Sequence, residues 1–245
     1  MSHSHTYHHH EINDYNRSFS IGIALNVIFV IIEVTYGLLA DSLALIADAG
    51  HNLSDVLSLL LAWGAYYLAK KQPTEKRTYG LRKVTIMASL LSAVLLFVAL
   101  GGIAWESIER LSSPQPVDGV IIIVVAAIGV VINTLTALLF AKGQKHDLNI
   151  RAAYLHMASD AAISLGVVIA GVAILFTGWL WLDPLISLLI AVVILISTWG
   201  LLKDSIDLSI DAVPQGIDLN EVKAYLLGLS NVTDLHDLHI WALST

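Results

Sequence analysis

The chain alternates between long apolar runs and short polar ones. Six apolar stretches stand out, at about Phe19–Leu39, Ser42–Ala69, Val84–Trp105, Val120–Ala141, Ala153–Thr177 and Leu182–Leu202. Each approaches or exceeds the roughly 20 residues that a helix needs to cross a bilayer. The junctions between them are polar or rich in Pro and Gly: Ala40-Asp41-Ser42, Lys70 to Lys83, Ser112 to Gly119, Lys142 to Arg151 and Gly178 to Pro184. The pattern predicts an all-α polytopic membrane protein of six transmembrane helices, joined as hairpins in chain order. Beyond Lys203 the pattern changes. Ile217–Leu226 reads as an amphipathic helix with Asp218 or Asn220 as N-cap. Val232–Trp241 alternates apolar and polar residues, which is a strand signal. One helix and one strand cannot close a core, so this stretch predicts the start of a small α+β cytoplasmic domain. The expected organisation is a His-rich tail over 1–18, a six-helix domain over 19–202 and an incomplete cytoplasmic domain over 203–245.

Composition agrees with that picture. Of 245 residues, 56% are hydrophobic and 13% charged, about half the charge of a soluble domain. Mean hydropathy is +0.74. Net charge is -7, with the basic residues in short loops, which argues against nucleic acid as a partner. There is no cysteine, so any metal ligand must be His, Asp, Glu or backbone. The first eighteen residues carry no secretory-signal pattern. Lys and Arg fall on one side of the predicted spans: Arg17, the six between Lys70 and Lys83, Lys142, Lys145, Arg151 and Lys203, against Arg110 alone on the other. The positive-inside rule then puts both termini in the cytoplasm.

Two motifs carry the chemistry. His51-Asn52-Leu53-Ser54-Asp55 lies in the second stretch and His156-Met157-Ala158-Ser159-Asp160 in the fifth. A spacing of four puts His and Asp on one helix face. An ionisable side chain at membrane depth costs a few kcal/mol or more and is a functional candidate by default. The second and fifth spans run in opposite directions, so the two motifs can meet at similar depth. His51, Asp55, His156 and Asp160 would then supply the two imidazoles and two carboxylates of a tetrahedral Zn2+ site. For any one of them alone, a buried polar residue satisfied by a neighbouring helix is the competing reading.

Other polar residues are less decisive. Asp48 lies one turn from His51 and is a candidate secondary metal residue, guiding a released cation or tuning that histidine; the competing reading is a solvated residue in an outward vestibule. Asn26 and Glu33 share a face of the first span; Glu33 either lines an exit path or anchors a structural hydrogen bond, the second reading being favoured. Asn133, Thr134 and Thr136 read as helix–helix contacts. His3, His5, His8, His9 and His10 form a His-rich tract able to capture metal. His236, Asp237 and His239 form a further candidate cluster, and His146-Asp147 reads as a solvated loop.

The run from Tyr36 to Asp55, YGLLADSLALIADAGHNLSD, closely resembles the signature of the cation diffusion facilitators, in particular bacterial zinc efflux members. Ala152–Asp160, Thr78-Tyr79-Gly80-Leu81-Arg82 and His236-Asp237-Leu238-His239-Ile240-Trp241 are similar to further parts of that pattern. The resemblance implies a homodimer in the bacterial inner membrane, with six spans per protomer and a ferredoxin-like cytoplasmic domain that binds metal as a regulator. It implies exchange of a cytosolic divalent cation for protons, with Zn2+ as substrate and Cd2+ or Co2+ as further candidates. The ligand chemistry points the same way: His binds metal only when neutral and carboxylate best when ionised, so protons and metal compete. A membrane zinc sensor or scaffold that binds without transport is the alternative. An intramembrane zinc hydrolase fits poorly, since there is no His-Glu-x-x-His motif and four protein ligands leave no open position.

Overall fold

In this computed structural model the described residues are 10–141 and 148–245, and the side chains of 10–23, 148 and 149 lie outside the description. Seven helices form among the described residues: α1 (His10–Leu39), α2 (Leu43–Ala69), α3 (Val84–Ser112), α4 (Gly119–Phe140), α5 (Leu148–Thr177), α6 (Leu182–Ser209) and α7 (Leu219–Leu227). Each of the six apolar stretches becomes one helix. α1 begins nine residues before the expected start, and α3, α5 and α6 also overrun the apolar stretch by several residues. Polar residues flanking a long apolar run are good enough helix formers to continue it.

Among the described residues four helical stretches, Val84–Ser112, Gly119–Phe140, Ile150–Thr177 and Leu182–Ser209, are long and apolar enough to cross a membrane, and the part of α1 whose side chains are described, Ala24–Leu39, is apolar as well. α2 is equally long, but Asp48, His51, Asn52 and Asp55 lower its hydropathy. Polarity is distributed inside out. Trp63, Trp105, Phe176 and Ile196 are exposed, whereas Glu33, Asp48, Asn52, Asn133 and Asp160 are buried. Exposed apolar surface on this scale belongs against lipid, and polar groups inside such a bundle must be matched or functional.

The chain forms two compact units. The first comprises the chain up to Val56 together with Ala99–Val193. In it α4 packs against both α1 and α5. Small residues allow the close approach: a Cβ added at Gly119 would lie 3.2 Å from the Gly171 carbonyl oxygen, and one at Gly171 2.9 Å from Ile122 Cγ2. The N-terminus of α2 is capped by a residue from the first turn of α6. Asp183 accepts from Ser42 Oγ at 2.5 Å, Leu43 N at 2.7 Å and Ala44 N at 3.3 Å. Its carboxylate also opposes the positive end of the α2 dipole. Arg110 fixes the preceding turn by donating to Asp41 O and Asp41 Oδ1, both at 2.9 Å, and Asp41 takes a left-handed φ of 52°. Asp183→Ala is expected to lower stability by about 1–2 kcal/mol, the scale of a lost cap; a thermal melt in detergent that matches wild type would contradict this.

The second unit comprises Leu57–Val98 and Ile194–Thr245. Ser58 hydrogen-bonds Ser92, Ser89 bonds Ser205 at 2.8 Å, and Lys83 pairs with Asp211 at 2.5 Å. Asp218 caps α7, accepting from Asn220 N, as the sequence pattern predicts. The strand expected at Val232–Trp241 does not form, and no strand is present among the described residues. Asp237 adopts a φ of 55°, which breaks the extended run. A lone alternating segment also has no neighbour to satisfy its backbone groups.

Candidate metal site

The sequence offers helices with His and Asp one turn apart, and the fold brings two of them face to face. α2 contributes His51 and Asp55, and α5 contributes His156 and Asp160. One ligand atom from each lies within 4.8 Å of every other. Within this set His51 Nε2 is 3.7 Å from Asp55 Oδ2 and 3.2 Å from Asp160 Oδ1. His156 Nε2 is 3.1 Å from Asp55 Oδ2 and 3.7 Å from Asp160 Oδ2. A tetrahedron with Zn–N and Zn–O bonds of about 2.0–2.2 Å has edges of roughly 3.3–3.6 Å. The four His–Asp distances lie within about 0.2 Å of that range, Asp160 meeting the two imidazoles with different oxygens. The imidazole rings meet edge to face, with centroids 5.8 Å apart and planes at 80°, so both Nε2 atoms can point into one centre.

The hydrogen-bond accounting also favours a cation. Asp55 Oδ2 and Asp160 Oδ2 are buried and accept no hydrogen bond. Leaving such oxygens unmatched is costly, and a divalent ion at the centre would satisfy both. Two carboxylates also cancel its charge, which limits the cost of holding it in an apolar interior. The site is open at one end. The side chains of Asp55 and His156 are 31% and 42% exposed, against 10% for His51 and 1% for Asp160. Neutral imidazoles and ionised carboxylates in this arrangement can bind a borderline transition-metal ion and give it up to protons.

The remaining candidates fall out differently. Asp48 is fully buried, so the reading of a solvated vestibule residue is wrong: Ser164 Oγ donates to its Oδ2 at 2.9 Å. Glu33 is buried too and takes a hydrogen bond from Asn52 Nδ2 at 3.1 Å, in keeping with the structural anchor. Sequence reasoning did not single out Asn52, Ser164 or Asp183. The available signal was spacing, since Ser164 lies one turn from Asp160 on the same face and Asn52 sits inside the first motif. Asn133 and Thr136 are buried in α4. His236 Nδ1 is 3.3 Å from Asp237 Oδ2, both side chains being more than four-fifths exposed. Neither they nor His239 or Asp48 join a group of three or more ligand-type residues among the described residues. His3, His5, His8, His9, His146 and Asp147 lie outside the described residues, as does the His10 side chain.

The profile of the cation efflux transmembrane domain matches residues 20–208. The chain is 40% identical over 229 residues to the cation efflux system protein CzcD of Alcaligenes sp. (strain CT14), covering 94% of this chain and 72% of that protein. It is 38% identical over 219 residues to the cadmium, cobalt and zinc/H(+)-K(+) antiporter of Bacillus subtilis (strain 168), covering 89% and 70%. It is 36% identical over 242 residues to the zinc transporter ZitB of Escherichia coli (strain K12), covering 98% and 77%. With the profile spanning most of its length and both motifs inside the matched region, the chain belongs to the cation efflux family of integral membrane proteins, the cation diffusion facilitators.

Proposed function

We propose that the protein is a secondary active transporter that exports Zn2+ from the cytoplasm in exchange for protons, with His51, Asp55, His156 and Asp160 as the ligands of the transported ion. The observation that carries this reading is the convergence of the four ligand atoms from α2 and α5 within 4.8 Å. The relatives' names, zinc transporter and cadmium, cobalt and zinc antiporter, support the substrate class. Cd2+ and Co2+ are further substrates of the same ligand chemistry. Mg2+ and Ca2+ are disfavoured, since they take more oxygen ligands.

In this reading all six long helices span the bilayer, including α1 and α2, and the Lys and Arg asymmetry puts both termini in the cytoplasm. α2 then runs inward and α5 outward, so Asp55 and His156 mark the cytoplasmic end of the site. That end is the accessible one, which suits a carrier ready to load. A deprotonated site takes up the ion, the bundle rocks open to the other side, and protonation of His51 or His156 expels the metal. The expected homodimer, the ferredoxin-like character of the region beyond 203 and a regulatory metal at His236, Asp237 and His239 belong to the same proposal and rest on the family resemblance.

Zinc uptake into proteoliposomes carrying an internal zinc dye tests it. With an imposed pH gradient, wild-type protein is expected to drive flux that vanishes when the gradient is collapsed by a protonophore. Zinc binding without any flux would overturn transport in favour of a sensor. Zinc affinity is also expected to fall as the pH is lowered, because protonated imidazole cannot coordinate; a pH-independent affinity between about pH 5 and 8 would contradict the His ligands.

A further inference from the structure

Just beyond the closed end of the site, two more carboxyls are buried without a cationic partner. Glu33 on α1 and Asp48 on α2 are both fully inaccessible. Each has one oxygen satisfied by a neutral donor, Glu33 Oε2 by Asn52 Nδ2 at 3.1 Å and Asp48 Oδ2 by Ser164 Oγ at 2.9 Å. The other oxygens, Glu33 Oε1 and Asp48 Oδ1, meet no donor. Asp48 lies one turn from Asn52 on α2, and Asn52 is the residue that holds Glu33, so the two carboxyls flank one side chain. Two carboxyls buried side by side in an apolar interior, with neutral donors only, resist both being ionised. A single proton between them satisfies both orphaned oxygens, because a protonated carboxyl is a donor and an ionised one an acceptor. The titratable groups facing the pair are His51 on α2 and Asp160 on α5. α4 packs against α1 and α5, and its buried polar side chains, Asn133 and Thr136, are neutral.

The pair is placed to sense the metal. Asp48 is one turn from His51 on α2, and Ser164 is one turn from Asp160 on α5, on faces already turned towards the site. We propose that Glu33 and Asp48 form a second, proton-only binding site that holds one shared proton while the metal site is empty and deprotonated, and releases it when a divalent cation binds. Loading a dication raises the charge beside the pair by two units. The shared O–H bond then breaks, the proton passes to water, and both carboxylates remain ionised in the field of the cation. When the cation leaves, the pair takes a proton back. The two histidines are thus not the sole proton carriers. This inference rests on the four-residue site being the metal site.

The test is an infrared difference spectrum of the intact, detergent-solubilised protein with and without zinc, paired with calorimetric zinc titrations in buffers of different ionisation enthalpy. In Glu33→Gln the amide can donate to Asp48 as the shared proton does, but it cannot be released. Wild type is expected to lose a protonated-carboxyl C=O band on zinc binding. Glu33→Gln is expected to lack that band change, still bind zinc, and release up to about one proton fewer per ion. A wild-type spectrum with no such band change, or equal proton release from a zinc-binding Glu33→Gln, would overturn the proposal. So would loss of zinc binding in a well-folded Glu33→Gln. Asp48→Asn gives the same reading if Glu33→Gln does not fold. Asp160→Ala judges the metal site separately: zinc binding at wild-type strength there defeats the metal-site reading whatever the infrared band does.

Discussion

Asp160→Ala is expected to abolish gradient-driven zinc flux and to weaken zinc binding at the membrane site by more than about 100-fold. Removing an outer partner of a metal ligand already costs about 10–100-fold, and Asp160 touches the centre directly. Its Oδ1 lies 3.2 Å from one imidazole and its Oδ2 3.7 Å from the other. The side chain is also 1% exposed, so water cannot readily replace the lost oxygen. With one carboxylate gone, the bound ion would keep a net positive charge inside an apolar bundle, which opposes both binding and crossing. Asp160→Asn separates the two causes, since it keeps the shape and an amide oxygen but not the charge. Competition with a zinc-chelating dye and the vesicle assay check this prediction. Wild-type affinity in the alanine variant would contradict it.

Gly129→Leu is expected to be the most disruptive substitution remote from the ligands. A Cβ at Gly129 would lie 2.5 Å from Phe29 Cζ and 3.0 Å from Ser164 Oγ. Phe29 is fully buried, so its ring has nowhere to swing. Overpacking of this kind costs about 1–3 kcal/mol, and more when several atoms are added. Three helices meet here, and Ser164 is the residue that holds Asp48. The variant should therefore lose both thermal stability and transport. Phe29→Ala in the same chain should recover part of the loss, since the two residues share one space and contacting pairs couple by about 0.5–3 kcal/mol. A melting temperature for Gly129→Leu equal to wild type would show that the helices do not approach closely at this point.

The long helices and the four ligand candidates were legible in the sequence because both depend on local periodicity. An apolar run of about 20 residues and a His-x-x-x-Asp spacing need no knowledge of the fold. What spacing could not supply was the environment of single polar residues. Asp48 reads equally well as solvated or buried from its position, and only the packing of α5 reveals that Ser164 holds it. Asp183 stands next to a Pro at the start of a span and resembles an ordinary first-turn acid, yet it caps a different helix, a contact across 140 residues of chain. Val232–Trp241 fails for the complementary reason. Its alternation is a genuine strand pattern, but a strand exists only with a partner, and Asp237 turns the backbone instead.

The most direct test of the paired site is a Co2+ titration of the wild-type protein followed by visible absorption. Co2+ takes up the same N and O ligands as Zn2+, and its d–d bands are intense in a four-coordinate tetrahedral field and weak in a six-coordinate one. The cysteine-free chain adds no thiolate charge-transfer bands to confuse the reading. Intense tetrahedral bands are expected in wild type; they bleach on adding Zn2+, and Asp55→Ala and Asp160→Ala each lose the share that corresponds to about one Co2+ per chain. A weak six-coordinate spectrum, or intense bands left unchanged by both substitutions, would contradict the site.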